Sequence, residues 1–316
     1  MTDDAPSRRR QHRIGLFYAL GAFTAWGVVL PVYLKALADV PVPEVLAHRI
    51  VWGALFALAL VAGLGRSSEL RQLLVPRTLA LLLLSALLVT INWVTYIYAI
   101  SSGHIVETSL GYFMNPLVSV ALGMVALGER LRLLQIAACI VAASGVALLA
   151  AATGGLPWIA LTLAFSFGFY GLVRKVVAVE SLIGFTFEAT ILAPIAGIYL
   201  LWLAATGQSS FGPAAPARDA LLLGTGIVTA LPLIWFAAAA RKLPLTTVGL
   251  LQFTSPSATF ILGVFVYGEP FSAAEAVTFA CIWLALLLYI ADAVLARRTA
   301  AAPLAAPGER TRETGR

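Results

Sequence analysis

Charge is what this sequence has least of. Asp, Glu, Lys and Arg make up 11% of its 316 residues, where about 25% is usual in a soluble domain. A soluble protein of this length needs far more charge to cover its surface. Cysteine is also scarce. Two in the chain exclude a disulfide framework and a Cys-rich zinc site. The phosphate-binding pattern Gly-x-x-x-x-Gly-Lys-Ser/Thr is missing, so no ATPase of the P-loop type is expected. No His, Cys and acid cluster has metal-ligand spacing, so neither a metal nor another cofactor is expected. What the chain has instead is apolar residues, at 60% against about 45–50% on average. That excludes a disordered chain and leaves an integral membrane protein.

A membrane helix needs about 20 mostly apolar residues. Ten such stretches are expected, at 14–35, 44–64, 76–99, 105–127, 132–152, 157–177, 182–204, 219–240, 245–267 and 272–294. Lipid leaves backbone groups unsatisfied unless they pair within helices or a closed barrel. Barrel strands alternate apolar and polar residues, and a run such as Leu79-Ala80-Leu81-Leu82-Leu83-Leu84 does not. The fold class is therefore all-α. The apolar run of span 1 exceeds the 7–15 residues of a signal-peptide core, so it reads as a span, not a cleaved leader. Residues 1–13 and 297–316 are polar and are expected to be disordered tails.

The net charge of +6 would point to nucleic acid if the basic residues formed one patch. They alternate with the spans instead. Eighteen of the 21 Lys and Arg fall on one side, in the tails and at Arg66, Arg71, Arg77, Arg130, Arg132, Arg174, Lys175, Arg241 and Lys242. Lys35 and Arg218 lie on the other side, and Arg49 inside a span. The positive-inside rule then places both termini in the cytoplasm of an inner membrane.

The chain repeats itself. Leu110–Arg130 and Leu250–Pro270, offset by 140, share seven of 21 positions, among them Pro116/Pro256, Gly123/Gly263, Gly128/Gly268 and Glu129/Glu269. A fainter match at offset 144 pairs Trp26-Gly27 with Tyr170-Gly171 and Glu44 with Glu188. Two five-span repeats are expected, 14–152 and 157–295. Five is odd, so the second enters the membrane from the opposite side. Inverted repeats are a recurring plan of secondary transporters, with the site near the midplane between halves.

The segment Leu110-Gly111-Tyr112-Phe113-Met114-Asn115-Pro116, followed by Gly128-Glu129-Arg130, resembles the end of an EamA domain of the drug/metabolite transporter superfamily. Gln252-Phe253-Thr254-Ser255-Pro256, followed by Gly268-Glu269-Pro270, resembles the partner domain. Glu44-Val45-Leu46-Ala47-His48-Arg49, Asn92-Trp93 and the run from Ala164 to Lys175 resemble the RarD branch, which carries a chloramphenicol-sensitivity label. The resemblance covers about residues 14–296. It implies ten helices, an inner-membrane location and movement of a small molecule.

Intramembrane charge is rare and marks functional candidates. Glu44, His48 and Arg49 open span 2 as a polar cluster that could hold an anionic group or relay a proton. Glu44 could equally be an acid favoured at a helix start. Glu188 lies inside span 7 with no sequence-local partner, so it must be paired or protonated. His104 and Glu107, at the outer start of span 4, are weaker candidates. Asn92, Trp93, Tyr96, Tyr112, Asn115, Tyr170, Trp235 and Gln252 form a polar-aromatic set suited to an aromatic or amphiphilic solute, with Asn92 and Gln252 expected to line the pore. The same set would also serve interhelical hydrogen bonding. Pro116 and Pro256 are candidate gating kinks or static bends. Gly128-Glu129 and Gly268-Glu269 read as helix ends, their acids capping the next helix.

These features together predict a non-enzymatic carrier of a small organic solute working by alternating access. Its partners would be that solute and the lipid bilayer, with no nucleic acid, and a homodimer is compatible with the sequence. The alternative is a membrane-embedded lipid-modifying enzyme using the polar residues of the outer face.

Overall fold

The computed structural model describes residues 4–102, 104–152, 157–268 and 272–301. Among them there is no strand. Ten helices are long and apolar enough to cross a membrane: α1 Arg10–Lys35, α2 Val42–Gly63, α3 Pro76–Ser101, α4 Glu107–Leu127, α5 Leu133–Ala151, α6 Trp158–Val176, α7 Ser181–Ala205, α8 Pro216–Lys242, α9 Leu245–Val266 and α10 Ala273–Leu295. The chain is an all-α multi-pass membrane protein.

Two ends differ from expectation. Helical structure begins at Asp4 and runs on into α1, where the sequence pointed to a polar tail. At the other end the helix of α10 continues to Ala301. Four of the ten residues 4–13 are Arg, and 296–301 hold only Ala, Arg and one Thr. Ala and Arg are good helix formers, and each extension grows from an already formed helix, which spares the nucleation cost. Residues 1–3 and 302–316 lie outside the described residues.

The helices do not pack in chain order. α1 lies on α8, α2 on α7 and α8, α3 on α6, α4 on α6 and α9, and α5 on α10. One apolar cluster gathers Phe23, Leu82, Tyr170, Ile183 and Phe236 from α1, α3, α6, α7 and α8. A second joins Leu110, Phe113, Phe253, Phe279 and Ile282 from α4, α9 and α10. Glycine sets the closest approaches. A Cβ on Gly226 of α8 would lie 2.4 Å from the Trp52 carbonyl carbon of α2. A Cβ on Gly27 would lie 2.6 Å from the Ser255 carbonyl oxygen.

The two proline candidates differ. Pro256 lacks the N–H that would bond the Gln252 carbonyl, and α9 is interrupted at Phe253, between Leu245–Gln252 and Thr254–Ile261. Pro116 sits inside a helix that runs unbroken from Ile105 to Leu127. α7 and α8 also carry internal prolines, Pro194 and Pro232. π-Helical turns occur at Ala25–Val29 and Leu262–Val266. The Gly27 carbonyl in the first accepts a hydrogen bond from Thr259 Oγ1 at 3.1 Å.

Candidate functional site

Glu188 lies seven residues into α7, about 10 Å along the helix at 1.5 Å per residue. It is 3% exposed, and it is paired, as its position demanded. Ser85 Oγ of α3 donates to Oε1 at 2.5 Å. Tyr170 OH of α6 donates to Oε2 at 3.2 Å. Arg174 Nη1 stands 3.4 Å from Oε1. Side chains of two helices, α3 and α6, thus converge on a carboxylate of a third, α7. The Arg174 guanidinium is 0% exposed, and its Nη2 donates to the Ser181 carbonyl at 3.0 Å. Sequence reading missed this residue by counting it with the basic residues of a connector. The signal that could have found it is Gly184, where a Cβ would lie 1.9 Å from Arg174 Nη1. α7 carries glycine where the guanidinium needs room.

Arg49 shares a small crevice with Glu188. Its volume is about 10 Å³, room for about one water, and Val89, Trp93, Phe185 and Thr229 also border it. Arg49 Nε donates to Thr229 Oγ1 of α8 at 2.9 Å, and its guanidinium lies 5.9 Å from the centre of the Trp93 ring. Arg49 and Trp93 also border a larger cavity of about 140 Å³, which continues past Tyr96 and Ile97 of α3 to Leu37 and Val40 at the α1–α2 connector. The two residues form a neck between a pocket and a buried ion pair.

The expected cluster at the start of α2 is divided. Glu44 and His48 are four residues apart and share a face, but Arg49 turns away from both. Glu44 is fully buried because the α7–α8 connector closes on it. Its carboxylate accepts from Ser210 N and Ser210 Oγ, each at 2.7 Å, and from Ser209 Oγ at 3.2 Å. His48 Nδ1 accepts from Trp52 Nε1 at 2.9 Å, and its ring lies 5.4 Å from that of Phe211. Glu44 and Glu188, aligned at offset 144, therefore occupy unlike environments: one ties a connector, the other is deep among helices.

Among the polar-aromatic candidates, Trp93 and Tyr96 border the larger cavity, and Tyr170 belongs to the Glu188 cluster. Asn92 does not line it. Its amide donates to the Leu163 carbonyl at 3.0 Å and to Ser166 Oγ at 3.1 Å, clamping α3 to α6. Gln252 Oε1 accepts from Ser119 Oγ at 3.4 Å. Asn115 is buried, with Oδ1 unpaired. Tyr112 is 45% exposed, its ring 6.3 Å from that of Tyr96. Trp235 packs in the first core cluster, facing Gly21. His104 Nδ1 and Glu107 Oε2 are buried without a hydrogen-bond partner.

Glu129 is a cap, but not of the helix that follows it. Its oxygens accept from Leu245 N at 2.7 Å and Thr246 N at 2.8 Å, the first amides of α9. Lys175 Nζ lies 3.7 Å from Glu129 and donates to the Ala240 and Leu243 carbonyls. The ends of α4, α6 and α8 and the start of α9 are so bound together. Glu269 lies outside the described residues.

Ten apolar helices around a cavity bordered by Arg49 are those of a multi-pass membrane protein with a charged group inside its bundle. The EamA-like transporter family matches residues 13–151. Protein RarD of Salmonella typhi is 44% identical over 290 residues, covering 92% of this chain and 98% of that protein. A protein of Vibrio cholerae described as an uncharacterized transporter is 43% identical over 302 residues, covering 95% and 98%. A solved crystal structure at 20% sequence identity superposes with a TM-score of 0.68, over 90% of this chain and 99% of the other, and shares the fold. The chain belongs to the RarD branch of the EamA-like transporter family and is a membrane transporter of the drug/metabolite superfamily.

Proposed function

We propose that this transporter is a secondary carrier of a small organic solute and works by alternating access between two inverted five-helix halves, 14–152 and 157–295. The carrying observation is the neck at Arg49 and Trp93, where a cavity of about 140 Å³ narrows to a one-water crevice above the Glu188–Arg174 pair. A pocket that ends on a buried charge pair suits a carrier with one side closed. On the closed side, the Glu129 and Lys175 contacts hold the ends of α4, α6, α8 and α9. The helix pairings support the halves. Exchanging α1–α5 with α6–α10 maps the α1–α8 contact onto α6–α3, and leaves α2–α7, α4–α9 and α5–α10 in place. In this reading the membrane is the cytoplasmic one, both termini lie in the cytoplasm, and the pocket faces outward. Two forms related by exchange of the halves would have similar energies.

Buried charge pairs are costly to break singly. Glu188 is therefore the group whose change of partner, or of protonation, would accompany opening of the closed side. The lipid-enzyme reading gains no support at Glu44, whose oxygens are occupied by Ser209 and Ser210.

The test is flux into proteoliposomes with a pH-sensitive dye inside and a panel of aromatic amines, amino acids, amphenicols and carboxylates outside. Wild type should move at least one solute. Glu188→Gln should lose most of that flux while inserting and eluting as wild type. Normal flux in Glu188→Gln removes the ion pair from the mechanism. A solute-dependent pH change would establish proton coupling, and flux without one would leave exchange or uniport. No flux for any solute, with lipid turnover instead, overturns the carrier.

A further inference from the structure

The larger cavity has a chemistry of its own. Its volume of about 140 Å³ is close to that of a cavity of about 150 Å³ that takes one benzene ring. Drug-sized ligands occupy roughly 300–1,000 Å³. One ring or a short chain fills it. Leu37, Val45, Leu46 and Ile97 give aliphatic walls, and the polar groups at its edge belong to Arg49, Trp93 and Tyr96. Guanidinium and indole groups only donate hydrogen bonds, and no carboxylate borders the cavity.

Arg49 is the decisive group. Among the described residues, no carboxylate lies within 4.0 Å of its nitrogens. Nε is taken by Thr229, which fixes the plane of the guanidinium; among the described residues Nη1 and Nη2 have no hydrogen-bond partner, and Arg49 borders the cavity. The acid across the crevice, Glu188, is held by Ser85, Tyr170 and Arg174, so it does not neutralise Arg49. A guanidinium inside a membrane protein without a counter-charge is costly. A carboxylate offers two acceptors that match the guanidinium fork, and the neighbouring indole can cover an aromatic body.

We infer that this cavity binds a small organic monoanion, a single-ring or short-chain carboxylate, with its charge on Arg49 Nη1 and Nη2 and its apolar body against α1, α2 and α3. The inference deepens the carrier reading by naming the substrate class, and rests on that reading for movement but not for binding.

The probe set is benzoate, benzamide and benzylamine, which share a ring and differ in charge. The readouts are thermal unfolding and tryptophan fluorescence of the full chain in lipid nanodiscs at neutral pH. Benzoate should raise the unfolding midpoint and change the fluorescence in a saturable way, while benzamide and benzylamine should not. Arg49→Gln should weaken benzoate binding by at least about tenfold, and Arg49→Lys should retain part of it. Equal responses to benzylamine and benzoate overturn the inference. So does a wild-type response to benzoate in Arg49→Gln, or no response of wild type up to about 20 mM. If Arg49→Gln does not fold, the charge series on wild type and Thr229→Val, which frees the guanidinium and should weaken benzoate alone, decide the matter. Benzoate binding without flux of any panel solute would end the carrier reading and keep the site. Flux of amines without benzoate binding would do the reverse.

Discussion

Arg174 and Glu188 form a buried charge pair, and its energetics are set by what surrounds it. A buried pair gains little over apolar residues of the same shape, yet removing one partner costs about 3–5 kcal/mol. Space is as important as charge here. Gly184→Ala would place a methyl 1.9 Å from Arg174 Nη1. The guanidinium is fully buried and held by the Ser181 carbonyl, so it has nowhere to go without leaving Glu188. Ala in place of Gly gains about 1 kcal/mol of helix propensity, less than the loss from a broken pair. The expected outcome is a lower thermal midpoint in detergent and reduced flux, where the same change at Gly197, with open space around it, should be neutral or slightly stabilising. Glu188 was visible as a residue that needed a partner. Arg174 was not, because its place in the chain beside Lys175 resembles a connector's basic pair. Hydropathy gives depth along a helix but not the direction of a side chain.

At the scale of elements, one acid determines how a distant helix begins. The first amides of α9 have no intrahelical acceptors, and Glu129 supplies them from the end of α4. Glu129→Ala should cost about 1 kcal/mol, with a range of roughly 0.5–2, and Glu129→Gln less, since an amide oxygen still accepts. Thermal melts of the three proteins in one detergent would check the order. The repeated Gly-Glu marked this residue as a helix-end group. Its partner, 116 residues later at Leu245, came only with the fold. Elsewhere an element's own sequence sufficed. Arg66 Nε and Glu69 Oε1 are 2.6 Å apart in the α2–α3 connector, and this hydrogen bond holds the Glu69 carboxyl below its ordinary range. Glu180 accepts from Leu182 N at 2.8 Å and so caps α7. In the repeat, Pro256 breaks its helix and Pro116 does not. Similar sequence therefore leads to unequal geometry at the two prolines.

At the scale of the whole molecule, the proposed topology makes a direct prediction. With both termini in the cytoplasm, a fluorescent protein fused after Arg316 should be bright, and alkaline phosphatase fused there should be inactive. Phosphatase fused within the α7–α8 connector should be active. The opposite pattern would invert the assignment of the pocket to the outside. The packing of α2 against α7 and α8, and of α4 against α6 and α9, joins the two halves of the chain along their length. In the proposed carrier, movement of one against the other would pass through the close Gly226–Trp52 and Gly27–Ser255 backbone approaches.

The class and the ten spans were legible in the sequence, which also repeats a spaced set of Pro, Gly and Glu. The class and the spans follow from local quantities: apolar length and side-by-side alternation of basic residues. The sequence also marked Glu188 and Arg49, because a charge in an apolar span is conspicuous without any structure. What each charge faces came from the packing of the helices. It separated Arg49 from Glu44 and His48, turned Asn92 into a clamp between helices, and brought Arg174 to Glu188. The reason is rotational. Adjacent helical residues point about 100° apart, and which direction meets a cavity depends on the neighbouring helix, chosen by packing between residues far apart in the chain.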